Sequence, residues 1–587
     1  MPKRVRPPDK EEKTICMGLK KHLLEPSLLP VIETMVDNVS RRTHRASLLA
    51  NHFFLKHIQH PGFDELAKAV TDQMFFYTAL SLGKGKKYEN LIEFFSANDS
   101  LYESIPALPL GGGRVMNSAA RQMKTNVGNY LWMTFDARIK RFCSKSDKHA
   151  QAFVLARTRN WTPYREVVLN KNESQLLDLF SNILSTSENV TDSWILENPG
   201  PVLRLYHRIQ RMCEEKQKEA KEKKQKGAKG FSMLPIFKMK SHFITIDATL
   251  LRELLVHGGL LNKNADGSAF EKLEDDHFRS VFKLRGSWLL GNEIKTDGFS
   301  LRVNIWRNAS ETPQRQRKRA FGQLEIENPS TENLLPGDYH DYFSNDPGQA
   351  NQAFVHHTID HKVVRKARLT YKQFCVESHH SANLKKQKRW LQEIQDENTE
   401  LSLYPVRTSD VEIFKGYLST KVPMYERLWK HHMHPRAARA RWDYQIHSRS
   451  CIDRFWSGLA YNRPAGMPLH QRPLLKYGSA NWGTGGAPNK RMLASAKKYF
   501  RVVLVPEFNT TACCADCGSR LKAVTQAFIG PLEEGKNRYP RTNRGLKHCS
   551  SNVCRSNPLK SRDGNAATNI GYAFPDRPEY LCPKITQ

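Results

Sequence analysis

At 587 residues the chain is too long for one hydrophobic core, which predicts three or four domains. Lys+Arg of 91 against Asp+Glu of 59 leaves a formal net charge of +32, while 39% hydrophobic residues with 28 Phe, 19 Tyr and 10 Trp exclude a disordered basic tail. Such self-repulsion in a folded chain points to a polyanionic partner rather than a merely basic surface, and the lack of any run of about 18 apolar residues argues against a membrane partner.

Residues 1–25 read as a basic segment, in which PKRVRPP is a candidate nuclear import signal; no apolar stretch follows its charges, so a secretory leader is not expected. Residues 26–212 predict a mostly helical domain, because VIETMVDNVSRRTHRASLLANHFFLKHI spaces apolar residues at the helical period. Residues 213–231, with CEEKQKEAKEKKQKGAKG, predict a charged linker or exposed helix. Residues 232–334 predict a small β-rich domain, since HFITID and SLRVNIW have the alternation and β-branched content of strands; RQRKRA near its end suits either a phosphate backbone or a solvated loop.

Across residues 335–509 strands and helices alternate. AFVHHTI is a predicted strand, SANLKKQKRWLQEIQDE and PRAARARWDYQIHSRSCIDRFWSGL are basic helical tracts, LLKYGSANW is a strand, a helix surrounds Met492–Tyr499, and RVVLV has the apolar continuity of a strand buried on both faces. The pattern is that of an α/β domain.

Of 11 cysteines, Cys16, Cys143, Cys213, Cys375, Cys451 and Cys582 stand alone, and the other five fall between Cys513 and Cys554. Clustered thiols in a basic chain predict a metal site in a reducing compartment rather than disulfides. Cys514 and Cys517 form C-x-x-C, and Cys549 and Cys554 a second close pair, as a structural four-thiolate zinc ribbon over residues 510–556 requires. Gly518 allows the tight knuckle turn. Cys513 could stand in for Cys514, and His548 for a cysteine.

A two-metal nuclease needs several carboxylates that converge on two Mg²⁺ ions about 3.5–4 Å apart. Asp346 in SNDPGQANQAF, Glu507 after RVVLV and Asp563 in SRDGNAATNI are the candidates; singly they would pass for a turn residue, a solvated carboxylate and a helix cap. Asp247, at the end of HFITID, competes with Asp346, because YHDYFSN is unusually polar for a strand that carries a catalytic aspartate.

D-P-G ahead of a strand, E-F-x-T-T-x-x-C-x-x-C, and R-D-x-N-A-A-x-N-I after a second cysteine pair together resemble the C-terminal half of TnpB proteins, and most of all Fanzor, their eukaryotic relatives, kin also to type V CRISPR effectors. The motifs span residues 340–575 in the family's order, while the N-terminal half matches only in layout. The resemblance implies a multidomain α+β and α/β protein: a helical recognition domain, a β-rich wedge domain, and an RNase H-like RuvC domain over residues 335–509 and 557–587 with the zinc ribbon inserted. It implies Asp346, Glu507 and Asp563 as metal-binding catalytic residues, with Glu507 in the relocated position just ahead of the ribbon. The expected activity is RNA-guided cleavage of double-stranded DNA beside a short flanking motif, with two Mg²⁺, a structural Zn²⁺ and a guide RNA, by a monomer carrying one RNA. Residence in the nucleus is expected of a eukaryotic source, in the cytoplasm of a prokaryotic one. The candidate backbone contacts are Lys385, Lys386, Lys388, Arg389, Arg436, Arg439 and Arg441, with Trp390 and Trp442 set among them. Two rival readings are an inactive zinc-ribbon nucleic-acid-binding protein and a transposase with strand-transfer activity.

Overall fold

The computed structural model describes residues 10–82, 87–110, 112–140, 148–163, 167–183, 188–222, 229–259, 275–285, 289–308, 341–348, 351–461, 472–479, 489–526, 541–573 and 578–581. PKRVRPP and RQRKRA lie outside them. The chain is a mixed α+β protein that divides into two compact units, Met1–Arg315 with Leu391–Ala437 and Gln316–Trp390 with Ala438–Gln587. Among the described residues no helix is long and apolar enough to cross a membrane.

In the first unit the helix Leu28–His57 serves two cores. Ile32, Met35, Val36 and Val39 recur every three or four residues, so they share one face, and that face packs on Ile244, Ile246, Ile294 and Val303 of a sheet. Further along, Leu49, Phe53 and Phe54 join a helical core with Val127 and Leu131 of Gly112–Ile139, Leu205 of Pro199–Glu222 and Phe414 and Leu418 of Val411–Met433. Enclosure of this stretch requires its polar side chains to find partners. Arg42 donates to the Leu80 carbonyl at 3.1 Å, and Asn51 Oδ1 accepts from the Leu234 N–H at 3.0 Å.

The sheet of this unit comprises β1 (Lys10–Gly18), β2 (Ile244–Ile246), β3 (Leu289–Thr296) and β4 (Ser300–Asn308), in the antiparallel order β1-β4-β3-β2. The segment expected to stand apart as residues 1–25 thus supplies an edge strand, paired from Lys10↔Asn308 to Gly18↔Ser300. Of the two alternatives for the charged run, helix holds as far as Glu222. Residues 391–437, expected within the nuclease segment, group instead with the first unit, because Phe414 and Leu418 bury in its helical core.

The second unit holds a five-stranded mixed sheet of β5 (Asp341–Pro347), β6 (Asn351–Thr358), β7 (Val363–Thr370), β8 (Leu474–Gly478) and β9 (Arg501–Val505), in the order β7-β6-β5-β8-β9. β5, β6 and β7 are antiparallel neighbours, whereas β5, β8 and β9 run parallel. One face packs Phe343, Phe354, Leu475 and Tyr477 against Trp456 of the helix Pro435–Leu459 and Met492 of the helix Asn489–Tyr499. On the other, Ala353 and Val355 meet Ala567 of the helix Arg562–Tyr572, where a larger residue would hold helix and strand apart.

β5 explains the polar YHDYFSN. The strand is central and buried from Tyr342 to Pro347, and its Ser344 hydroxyl and Asn345 amide nitrogen find partners on the neighbouring strand. Ser344 Oγ lies 2.8 Å from His357 Nε2, and Asn345 donates to Gln352 Oε1 at 3.1 Å. Gln352 in turn donates to Asn489 Oδ1 at 2.7 Å. A hydrogen-bonded network thus replaces the usual apolar run. After β9 a three-stranded antiparallel sheet follows, of β10 (Lys522–Gln526), β11 (Arg541–His548) and β12 (Leu559–Ser561).

Candidate active site and metal centres

The sheet topology brings three distant acidic residues to one end of the second unit. Asp346 is the penultimate residue of β5, level with the end of β8, since Asn345 pairs with Tyr477. Glu507 follows β9 by two residues, in a turn where its carbonyl accepts from Thr510 Oγ1 at 3.0 Å. Asp563 sits in the first turn of Arg562–Tyr572, which Ser561 caps through the Gly564 N–H, and a carboxylate there gains from the helix dipole.

Asp346 is 5% exposed and Asp563 7%. Burial raises the Asp346 pKa to about 8, and repulsion from Glu507 and Asp563 adds to the rise, against a lowering by Arg562. The three carboxyl groups are therefore close enough for two of them to act by charge on the third. Arg562 also binds Asp563 Oδ1, through Nε at 2.9 Å. Gly478, the last residue of β8, makes room for Glu507: an added Cβ would lie 2.8 Å from its Cδ and collide with its Oε1.

Among the described residues, two groups have all their potential ligand atoms within 4.8 Å of one another: Cys514, Cys517, Cys549 and Cys554, and His379, Asp443 and His447. The three carboxylates are spaced more widely than that. Asp247 takes no part, since it caps the helix Ala248–His257 by accepting from the Leu250 N–H at 3.1 Å.

The four cysteines could hold zinc. Cys514 and Cys554 Sγ are 3.7 Å apart, Cys517 and Cys549 3.5 Å, and Cys517 and Cys554 3.7 Å. A tetrahedron with bonds of about 2.3 Å has edges of ~3.8 Å. Gly518 has φ +73°, the left-handed conformation that the knuckle needs. Both alternatives fall away: Cys513 Sγ points to the Tyr580 carbonyl at 3.6 Å, and His548 is outside the group.

Two asparagines of the R-D-x-N-A-A-x-N-I motif, unassigned by sequence reasoning, tie this knuckle to the helix that carries Asp563. Asn565 Nδ2 donates to the Thr510 and Cys513 carbonyls at 3.2 and 2.7 Å, and its Oδ1 accepts from the Ala515 N–H at 2.9 Å. Asn569, one turn on, donates to the same two carbonyls at 2.9 Å each. The signal was their four-residue spacing, which places both on one face.

Lys385, Lys386, Lys388 and Arg389 are exposed on the helix His380–Leu391, as are Arg439, Arg441 and Trp442 on Pro435–Leu459. Arg436 differs, because its NH1 donates to Glu393 Oε1 at 2.7 Å. Its charge is already matched within the chain. No family model and no curated protein sequence matches the chain.

Proposed function

We propose that the second unit is a metal-dependent DNA endonuclease of RuvC type, directed by a guide RNA, as the resemblance to Fanzor implies. The observation that carries the reading is the convergence of Asp346, Glu507 and Asp563 at one end of the sheet, where the two neighbours add to the rise that burial produces in the Asp346 pKa. Carboxyl groups that repel one another, two of them buried and one half-buried, are suited to a site that a cation completes. The strand order supports it too: an antiparallel three-strand meander continued by two parallel strands is the arrangement of an RNase H-like sheet.

The donors fit magnesium, being all-oxygen and drawn from a strand, a turn and a helix. Asp346, Glu507 and Asp563 would hold the ions. Two bound Mg²⁺ would supply an activated water and charge stabilisation at the leaving oxygen. The protein's own part is to fix the carboxylates: β5 and its buried network orient Asp346, Gly478 admits Glu507, and the capped helix presents Asp563. The formal charge of +32 suits a guide scaffold and displaced DNA strands, whose pairing would read sequence while the protein reads shape.

The test is cleavage of target DNA by protein purified with its RNA, with Mg²⁺ supplied or withheld. Mg²⁺-dependent cutting that Asp346→Ala abolishes is expected. Equal cutting by the variant would remove the assigned site, and strand-transfer products would favour a transposase. Sequencing of the bound RNA separates guidance from generic binding: defined transcripts support the first, random fragments the second.

A further inference from the structure

We propose that His379, Asp443 and His447 form a second metal site, for a borderline divalent ion such as Zn²⁺ or Co²⁺, that clasps two helices of the second unit. Asp443 and His447 are one turn apart on Pro435–Leu459 and so share a face. His379 comes from a different segment, immediately before the helix His380–Leu391. Its Nδ1 lies 3.0 Å from Asp443 Oδ2, while His447 Nε2 lies 3.3 Å from Asp443 Oδ1. These contacts reach the two different oxygens of Asp443, and one ligand atom from each of the three side chains lies within 4.8 Å of the others, a spread that an ion with bonds of about 2.0–2.1 Å and neighbouring ligands ~3.3 Å apart would draw in.

Three further observations favour a built site. The two imidazole rings stack, with centroids 3.7 Å apart and 28° between them, and each holds one oxygen of the same carboxylate. His379 holds φ +60° where it ends the helix Tyr371–Glu377, its N–H donating to the Val376 carbonyl at 3.0 Å, and this turn sets its ring beside Asp443. Buried Asn383 donates to Asp443 Oδ2 at 3.3 Å and to the Ala440 carbonyl at 3.0 Å, the kind of outer hydrogen bond that orients a ligating carboxylate. Two neutral imidazoles and one carboxylate carry a single negative charge, and this donor set selects zinc-like ions over Mg²⁺. All three side chains are half-exposed, which leaves coordination positions for water. Bound metal would lock together two helices that carry exposed basic residues. The proposal is independent of the nuclease reading.

The full-length protein, loaded with Zn²⁺ and freed of loosely bound ion, is expected to hold two zinc ions per chain. His379→Asn, which tolerates the left-handed backbone, and Asp443→Asn are each expected to hold one and to keep the wild-type circular dichroism. Co²⁺ distinguishes the sites: Cys514→Ser should retain a d–d absorption without thiolate charge transfer, which Asp443→Asn added to it removes. One zinc in the wild type, or two in the His379 and Asp443 variants, would overturn the proposal.

Discussion

Gly478 and Glu507 compete for one volume. The Glu507 carboxyl group occupies the space that a side chain on Gly478 would take, and Pro347 Cδ, 2.9 Å from that point, closes the other side. Gly478→Ala should therefore displace Glu507 and leave the buried sheet intact. If Glu507 binds metal, cleavage should fall about 100-fold, as for a misplacement of roughly 1 Å in a catalytic group. Single-turnover cleavage beside a thermal melt checks this; an active variant would place Glu507 outside the chemistry.

Asp346→Asn removes a buried carboxyl group whose ionisation its two acidic neighbours oppose. Cleavage should drop to background. In Mg²⁺-free buffer the variant should be more stable than the wild type at pH 9, by about 1–3 kcal/mol, because a buried charge without a partner is costly. Chemical denaturation at that pH measures it.

Cys513 and Cys514 are adjacent but should behave oppositely. Cys514→Ser removes a ligand of the four-thiolate group and should release zinc, with loss of the β10–β12 sheet. Cys513→Ser should keep full zinc content, since its sulfur lies against the Tyr580 carbonyl. Metal analysis of the two proteins decides it.

Asn565→Ala would delete three hydrogen bonds to the knuckle and take the acceptor from the Ala515 N–H, while Asn569 still donates to both carbonyls, at a cost of about 1–3 kcal/mol. Zinc should leave faster under a chelator, and faster still in the Asn565→Ala, Asn569→Ala double variant. Unchanged release rates would deny the helix any hold on the ribbon.

Lys476 on β8 is 2% exposed and donates to the Gly571 carbonyl at 2.5 Å. Burial lowers its pKa to about 7, whereas in the unfolded chain it stays near ~10.4. Between those values the unfolded state binds a proton that the folded state sheds, so stability falls as pH drops through this window and levels off below about 7. Lys476→Met should flatten that slope, by about 1 kcal/mol or more across the window. Denaturation midpoints from pH 7 to 10 provide the check.

Much of the second unit was legible because its signals are local. The apolar run RVVLV is β9, the tract PRAARARWDYQIHSRSCIDRFWSGL coincides with Pro435–Leu459, and the close cysteine pairs mark the zinc-competent group. β5 was harder, because its Ser344 and Asn345 are buried only by virtue of His357 and Gln352 on the neighbouring strand. The His379 group was missed: a lone histidine before one helix and an Asp/His pair on another carry no shared motif.

The order of residues alone determined the charge, the periodicity of the long helices and the presence of two cysteine knuckles, since each is a property of neighbours along the chain. Only the tertiary structure decided that Lys10–Gly18 pairs with a strand some 290 residues later, that Val411–Met433 buries in the helical core of the first unit, and that Cys513 gives way to Cys514. It also decided that Asp247 is a cap while Asp346 lies within reach of the charges of Glu507 and Asp563. These outcomes depend on which partner gains most from burial or pairing, and that free energy belongs to contacts between segments, which no local pattern encodes.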